Sequence, residues 1–407
     1  MERMVVPFMK RHLWILADDL TGALDTGCCF AGAGAQTVVQ VDPGKSPEDL
    51  LEASVRVICT YSRHLLPGEA HRQMEEWLER IPLQCGDIVM IKTDSAWRGN
   101  LSAVISAGSA ALKQPVYMLP AYPQVGRTLR GGVIYIRDKA LADSVFAKDP
   151  RSPMMISEGV NLLKMDYPMH VNLIPEGEEA PETSGEYPEV MLYDCTSEAS
   201  LRRIVDGWRR KGIPQLVCGC AGLAGIMAEV LTEEDKTQVP SGSDSLPGRG
   251  ILVLSGSANQ ITFDQLAARG TRGAERIDRQ GKVSSQAVEA LSRGETYILA
   301  AAFSHEDVKP NLTGEEHLQF AAHMAEQTVE VLRQSGVRRL AVFGGDTLQA
   351  VLAALCAEML EVLGQPEEGV ALCWADTILG PVLLVTKSGG LGSMSIFEHL
   401  EEALYSR

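Results

Sequence analysis

Short apolar runs alternate with helical patterns along most of this chain, and that alternation leaves few folds open. In the first half, Leu13–Ala17, Thr37–Val41, Val55–Thr60, Ile88–Ile91 and Val116–Leu119 read as strands. Their residues are apolar almost throughout, as in strands buried on both faces rather than wetted on one. Helical stretches such as Glu69–Arg80 and Leu101–Lys113 fall between them. Val171–Ile174, Val190–Tyr193 and Gln215–Cys218 extend the pattern, with a helix at Ser200–Lys211. Strand–helix alternation predicts a mostly parallel sheet covered by helices.

The pattern breaks once. Residues 237–250 (TQVPSGSDSLPGRG) are rich in Ser, Gly and Pro and have no apolar face, which reads as a linker. Alternation then restarts with Ile251–Leu254, Tyr297–Ala302, Leu340–Phe343, Ala371–Trp374 and Val382–Val385. Helices are expected over Gln260–Arg269, Glu316–Gln334 and Leu348–Leu363. A chain of 407 residues is also long for a single core. The expected fold is α/β, with two domains, each a mostly parallel sheet flanked by helices, and an interdomain cleft. The domains are expected at 1–236 and 251–407, joined by 237–250.

The formal net charge of −16 argues against nucleic acid as a partner, since phosphate backbones require clustered Lys and Arg. A small anion is still possible, because local charge can oppose the global sign. Nine Cys without paired CxxC spacing predict reduced thiols and a cytoplasmic location. Lys10-Arg11-His12 interrupts the N-terminal apolar residues and Asp18-Asp19 follows soon after, so no secretory leader is expected. No apolar run is long enough to span a bilayer, and no membrane partner is expected. The eight His residues form no metal-ligand motif.

The first strand ends in Asp18-Asp19, and Thr21, Gly22, Asp25, Thr26 and Gly27 follow closely. Adjacent carboxylates do not suit a strand interior, where an unpaired charge is very costly. They suit a strand end facing a crevice, within reach of a ligand. An N-cap explains one Asp; three carboxylates in eight residues point to a site. The strand Ile88–Ile91 likewise runs into Lys92-Thr93-Asp94-Ser95-Ala96-Trp97-Arg98-Gly99-Asn100. Lys92 and Asp94 share one side of an extended segment, and Arg98 can grip a carboxylate with two parallel hydrogen bonds. This set suits a polyhydroxylated ligand that carries a carboxylate. After the next strand, the proline-stiffened loop Pro120–Thr128 offers Arg127 as an anion contact; a rigid connector explains the loop equally well.

The second half carries three strand–Gly–helix turns: Ser255-Gly256-Ser257, Gly344-Gly345-Asp346-Thr347 and Lys387-Ser388-Gly389-Gly390-Leu391-Gly392. Backbone N–H groups at such turns attract phosphate, and glycine lets it approach. There is no Walker A loop, because Gly44-Lys45-Ser46 has Val39 where the first glycine is required.

Together these segments resemble the four-carbon acid sugar kinase family, whose members phosphorylate threonate, erythronate or 3-oxo-tetronate. The family opening IADDLTGANDTG is ILADDLTGALDTG here, from Ile15 to Gly27. The family's KxDSTLRGN corresponds to Lys92–Asn100, PAFPxxGRT to Pro120–Thr128, and a GSAGLA-like turn to Gly219–Ala224. SGS, GGETS and KSGxFG correspond to the three glycine turns of the second half. Three departures bear on substrate and activity: GGETS has become GGDTL, GVHYV has become Gly132-Val133-Ile134-Tyr135-Ile136, without the His, and the family's Glu-Thr pair a little further on is replaced near Asp143-Ser144.

The resemblance implies an N-terminal sugar-acid domain and a C-terminal nucleotide domain. ATP would sit near Ser257, Gly344, Gly345, Asp346, Thr347 and Gly389. The acid sugar would sit near Asp18, Asp19, Thr21, Asp25, Lys92, Asp94, Arg98 and Arg127. Cleft closure would bring the γ-phosphate to a substrate hydroxyl. Asp19 or Asp94 would orient or deprotonate that hydroxyl, and Lys92, Arg98 or Arg127 would hold the substrate carboxylate or the moving phosphoryl group. Mg²⁺ would bridge the phosphates with few protein ligands. Symmetric dimers are common at this size, so a homodimer fits. Two other readings stay open at this point: a regulatory protein of the same fold that binds sugar acid and nucleotide without catalysis, and a metal-assisted sugar-acid lyase or isomerase.

Overall fold

The structure, a computed structural model, describes residues 12–149, 152–232, 246–270, 272–277, 283–308 and 313–405. The chain divides into two compact units, residues 1–238 and 239–407. The expected linker up to residue 245, and the stretch 1–11 on which the expectation of no leader partly rests, lie outside the described residues.

The first unit contains β1 (Leu13–Ala17), β2 (Thr37–Gln40), β3 (Val55–Cys59), β4 (Ile88–Lys92) and β5 (Val116–Leu119). A separate antiparallel sheet of β6 (Arg127–Arg130), β7 (Val133–Ile136) and β8 (Lys139–Ala140) follows. Then β9 (His170–Ile174), β10 (Glu189–Tyr193) and β11 (Leu216–Gly219) return to the main sheet. Its order is β2-β3-β1-β4-β11-β5-β10-β9, and every neighbouring pair is parallel. Every residue of β1, β3 and β4 is buried, as central strands covered on both faces require.

The helices of this unit are α1 (Leu20–Gly32), α2 (Pro67–Arg80), α3 (Leu101–Leu112), α4 (Gly159–Leu163), α5 (Glu198–Lys211) and α6 (Ala221–Thr232). Local chemistry fixes their starts. Pro67 opens α2, and the Glu69 carboxylate accepts the Leu66 N–H at 3.1 Å. In α5, Ser197 caps the N-terminus while Leu201, Val205 and Trp208 turn one stripe inward. Helix α1 packs with α6, whereas α3 packs with α2 and α4. Helices α1 and α3 therefore leave the adjacent strands β1 and β4 toward opposite faces. That divergence opens a crevice beyond the carboxyl ends of the two strands.

The second unit repeats the device. Its strands are β12 (Ile251–Ser255), β13 (Ala274–Arg276), β14 (Thr296–Ala300), β15 (Arg339–Phe343), β16 (Met359–Glu367), β17 (Val370–Ala375) and β18 (Val382–Lys387). They lie in the order β13-β14-β12-β15-β18-β17-β16. The first five are parallel neighbours, and β17 and β16 are antiparallel. The helices are α7 (Gln260–Arg269), α8 (Ser285–Ser292), α9 (Gly314–Ser335), α10 (Gly345–Ala354) and α11 (Ile396–Tyr405). Leu266 of α7 shares one core with Ile396, Phe397, Leu400 and Leu404 of α11, while α8 and α10 pack on α9. Helices α7 and α10 again diverge from adjacent strands, β12 and β15.

One expected helix is corrected. The pattern over Leu348–Leu363 does not form a single helix: α10 ends at Ala354, and Met359–Glu367 is a strand paired with β17. Cys356, at φ +52°, turns the chain out of the helix, and the apolar run beyond it is short enough to satisfy either period.

Candidate functional site

In the first unit, the ends of β1, β3 and β4 converge. Asp19 is the N-cap of α1, and its Oδ1 accepts the Gly22 N–H at 2.9 Å. Its Oδ2 accepts from Arg63 Nη1 at 2.5 Å. Arg63 also grips Asp18 with two bonds of 2.8 Å, from Nε and Nη2. One guanidinium thus bridges both carboxylates. Burial pushes the Asp18 carboxyl above its ordinary value, helped by the charge on Asp19 and opposed by Arg63 and Lys92. Burial likewise works against the charge on Arg63, but Asp18 and Asp19 outweigh it and hold the side chain protonated.

Lys92, only 5% exposed, closes β4 and donates from Nζ to the Thr93 carbonyl at 2.9 Å. A Cβ at position 22 would lie 2.6 Å from Asp19 Oδ1 and 2.8 Å from Lys92 Nζ. Glycine is therefore required where the carboxylate and ammonium converge. Asp25 lies in the second turn of α1; its charge and that of Lys92 both act on the thiols of Cys29 and Cys220. Burial drives the Cys29 thiol up to about 12, so it is no nucleophile. Thr21 occupies the first turn of α1, half-buried.

Asp94 plays a different part from Asp19. Its carboxylate accepts the Ala96 and Arg98 N–H groups at 3.0 and 3.3 Å, and Arg98 Nε and Nη2 at 2.9 Å each. Burial opposes its charge, but the hydrogen bonds from Arg98 and the charges of Arg63, Arg98 and Lys92 hold it well below the usual carboxylate range. The bonds to Ala96 and Arg98 clamp the turn on either side of Trp97, which sits buried at φ +62°, a region non-glycine residues rarely occupy. Asn100 does not offer its amide to the crevice. Its Nδ2 donates to the Ser62 and Leu65 carbonyls at 2.8 and 2.9 Å, strapping the β3 loop to the β4 loop.

Arg98 also reaches Asp149 at 3.0 Å. The Phe146 ring lies 5.2 Å from the guanidinium of Arg98 and 5.2 Å from that of Arg127. Arg127 donates from Nη1 to the Val125 carbonyl at 3.1 Å, while its buried Nε has no hydrogen-bond partner. A buried donor without an acceptor is costly, and an anion would satisfy it. Ile134, where the family pattern has His, is 2% exposed, and its N–H bonds the Ser157 carbonyl. Its side chain fills a core position of the small sheet.

In the second unit the three glycine turns follow the neighbouring strands β12, β15 and β18 and are laced together. Gly256 N donates to the Phe343 carbonyl and Gly344 N to the Lys387 carbonyl, both at 3.0 Å. A Cβ on Gly256 would overlap Thr347 Oγ1, and one on Gly389 would overlap Ser257 Oγ. Gly344 caps α10 at φ +112° without any side-chain cap bond, and the backbone N–H groups at a helix start of this kind suit an anion. Leu348 of the altered GGDTL turn is 3% exposed. It points into the core, not toward the turn. Gly256→Ala is expected to cost about 1–3 kcal/mol by overpacking, read as a lower melting temperature in a thermal unfolding scan.

Residues 13–227 match the family model described as a sugar-binding N-terminal domain, and residues 252–397 the one described as a nucleotide-binding C-terminal domain. Whole-chain relatives include a D-threonate kinase of Salmonella typhimurium, 26% identical over 96% of this chain and 97% of that protein. Another is a 3-oxo-tetronate kinase of Pseudomonas fluorescens, 30% identical over 95% of each. The chain belongs to the four-carbon acid sugar kinase family. A crystal structure from Salmonella typhimurium LT2 shares the fold, with a TM-score of 0.77 at 24% identity over 95% of this chain and 98% of that one.

Within this kinase family frame, Asp18, Asp19 and Lys92 are brought together at the ends of β1 and β4, with Asp25 in the second turn of α1. Asp94, Arg98 and Arg127 form a second group around Phe146. Arg63, Phe146 and Asp149 are additions that the sequence motifs did not single out. Arg63 lies a few residues beyond the end of β3, in a segment without a motif. Among the described residues, no three His, Cys, Asp or Glu side chains converge as a metal cage, and no helix is long and apolar enough to cross a membrane.

Proposed function

We propose that this chain transfers the terminal phosphoryl group of ATP to a hydroxyl of a four-carbon sugar acid such as threonate, erythronate or 3-oxo-tetronate. The observation that carries the reading is the unpartnered buried Nε of Arg127, in a unit that also presents the Asp19 carboxylate where β1 runs into α1. The first suits a substrate carboxylate and the second a hydroxyl. The names of the whole-chain relatives support the substrate class, and the laced glycine turns of the second unit support a nucleotide triphosphate. Asp19 is the better candidate to orient or deprotonate the hydroxyl: its side chain is 28% exposed, against 11% for Asp94. Asp94 is committed to holding the turn and Arg98. Lys92 and Arg98 supply positive charge near the transferring group, in a reaction that depends mainly on positioning and charge neutralisation. The residues present suit Mg²⁺ carried by phosphate oxygens and water; bound so, it would neutralise phosphate charge. Nine cysteines outside any disulfide support a cytoplasmic setting.

The test is an ATP-consumption assay against a panel of four- to six-carbon sugar acids, with a thermal-shift measurement of ATP–Mg²⁺ in parallel. Turnover with a four-carbon acid is expected. No turnover with any acid, and no nucleotide-induced shift, overturns the reading. Arg127→Met removes one charge-assisted contact worth about 1.5–3 kcal/mol. It is expected to raise KM for the sugar acid about 10- to 100-fold, with KM for ATP unchanged in steady-state kinetics.

A further inference from the structure

A buried ammonium lies beneath the glycine turns of the second unit. Lys387 closes β18 and is 2% exposed. Its Nζ lies 3.0 Å from the Ser388 carbonyl, 3.4 Å from the Gly389 carbonyl and 3.3 Å from Thr262 Oγ1. The Phe343 ring sits 5.0 Å away. Thr262 is fully buried; it donates to the Gly389 carbonyl at 2.8 Å, and its Oγ1 lies 3.1 Å from Ser257 Oγ. The Lys387 carbonyl accepts the Gly344 N–H. This one residue is therefore tied to all three turns: to 388–389 directly, to Ser257 through Thr262, and to Gly344 through its backbone.

Its surroundings are unusual for a buried cation. Carbonyl and hydroxyl oxygens satisfy the ammonium, and among the described residues no carboxylate lies within ion-pair distance of it. The titratable groups facing it are Glu367, at the end of β16, and His399 of α11 behind Glu367. Glu367 is engaged elsewhere, accepting from Ser393 N at 3.1 Å and Ser393 Oγ at 2.8 Å and lying 2.7 Å from His399 Nδ1. Buried charges are ordinarily paired. Here the charge has no ion-pair partner among the described residues, only the through-space influence of Glu367.

We propose that Lys387 is a positioning residue for the nucleotide phosphates: it anchors the three turns from below and supplies the counter-charge to an oligophosphate bound above them. This inference rests on the reading that the second unit binds ATP. Burial lowers the ammonium's affinity for its proton to a pKa of about 8, against the opposing charge of Glu367. The counter-charge is therefore expected to fade as pH rises through that value.

The experiment compares wild type, Lys387→Met and Lys387→Arg in the full chain. Lys387→Met is expected to raise KM for ATP at least 10-fold while KM for the sugar acid stays within 2-fold, roughly the loss of one charge-assisted contact. In wild type, KM for ATP should climb between pH 7 and 9. In Lys387→Arg, whose guanidinium stays charged, that climb should vanish. An unchanged KM for ATP in Lys387→Met, or an equal pH profile in wild type and Lys387→Arg, overturns the proposal. If Lys387→Met does not fold, the wild-type and Lys387→Arg profiles decide alone. Calorimetry with tripolyphosphate separates this inference from the ATP reading. Tighter binding to wild type than to Lys387→Met, or to wild type at pH 7 than at pH 9, supports the role of Lys387 even if ATP is not consumed. Equal binding in these comparisons overturns it.

Discussion

Asp19→Asn is expected to lower kcat by about 10²- to 10⁴-fold, the range for losing a positioned general base, with the melting temperature nearly unchanged. The substitution is mild for the fold. Asn is as good an N-cap as Asp, so the Gly22 N–H keeps its acceptor. Arg63 keeps both bonds to Asp18. What disappears is the exposed carboxylate edge. Unchanged turnover would remove Asp19 from the chemistry. Asp94→Asn is the contrasting case. It weakens the clamp around Trp97 and frees Arg98, so stability and activity should fall together.

Arg63→Met should produce the largest loss of stability, about 3 kcal/mol or more, because it leaves two neighbouring carboxylates without their counter-charge. Urea unfolding of the first unit measures it, and the effect should depend on pH. Burial already holds the Asp18 carboxyl above its ordinary value, and losing Arg63 pushes it further. A carboxyl raised in the folded state binds its proton more tightly there than in the unfolded chain. Its favourable contribution is then complete at pH below the unfolded value and is lost as pH rises through the folded one. Arg63→Met should therefore lie closer to wild type near pH 4 than near pH 7. An equal deficit at both pH values would show that packing, not charge, is the main loss.

Much of this was legible in the chain. Apolar runs flanked by helical periods gave the strands of both main sheets except β13 and β16, because strands buried on both faces leave a dense signal. Paired carboxylates at Asp18-Asp19 and the Lys92–Asn100 segment marked strand ends, because charge beside an apolar run is expensive unless a crevice receives it. The antiparallel elements were less legible. Strands β6 to β8 are short and carry Arg127, Arg130 and Lys139 among their apolar residues, so their period is weak. Met359–Leu363 read as helix because four apolar residues around Glu361 fit either period. Arg63 was hidden by its setting: Tyr61-Ser62-Arg63 has no motif, and its partners lie 44 and 45 residues away. Phe146 gives no local signal either, since its role depends on two arginines that meet only in the folded chain. Two departures from the family pattern, at Leu348 and Ile134, look severe in sequence and mild in space. Leu348 and Ile134 both point into cores.

The Asn100 strap carries a consequence for how a ligand is received. By holding the Ser62 and Leu65 carbonyls at once, it fixes the loop that presents Arg63 before any substrate arrives. The conformational entropy of ordering that wall is spent during folding and is not charged again on association. A small, flexible, strongly hydrated acid has little surface with which to compensate for ordering a loop. A wall set in advance lets its few polar contacts count almost in full toward affinity.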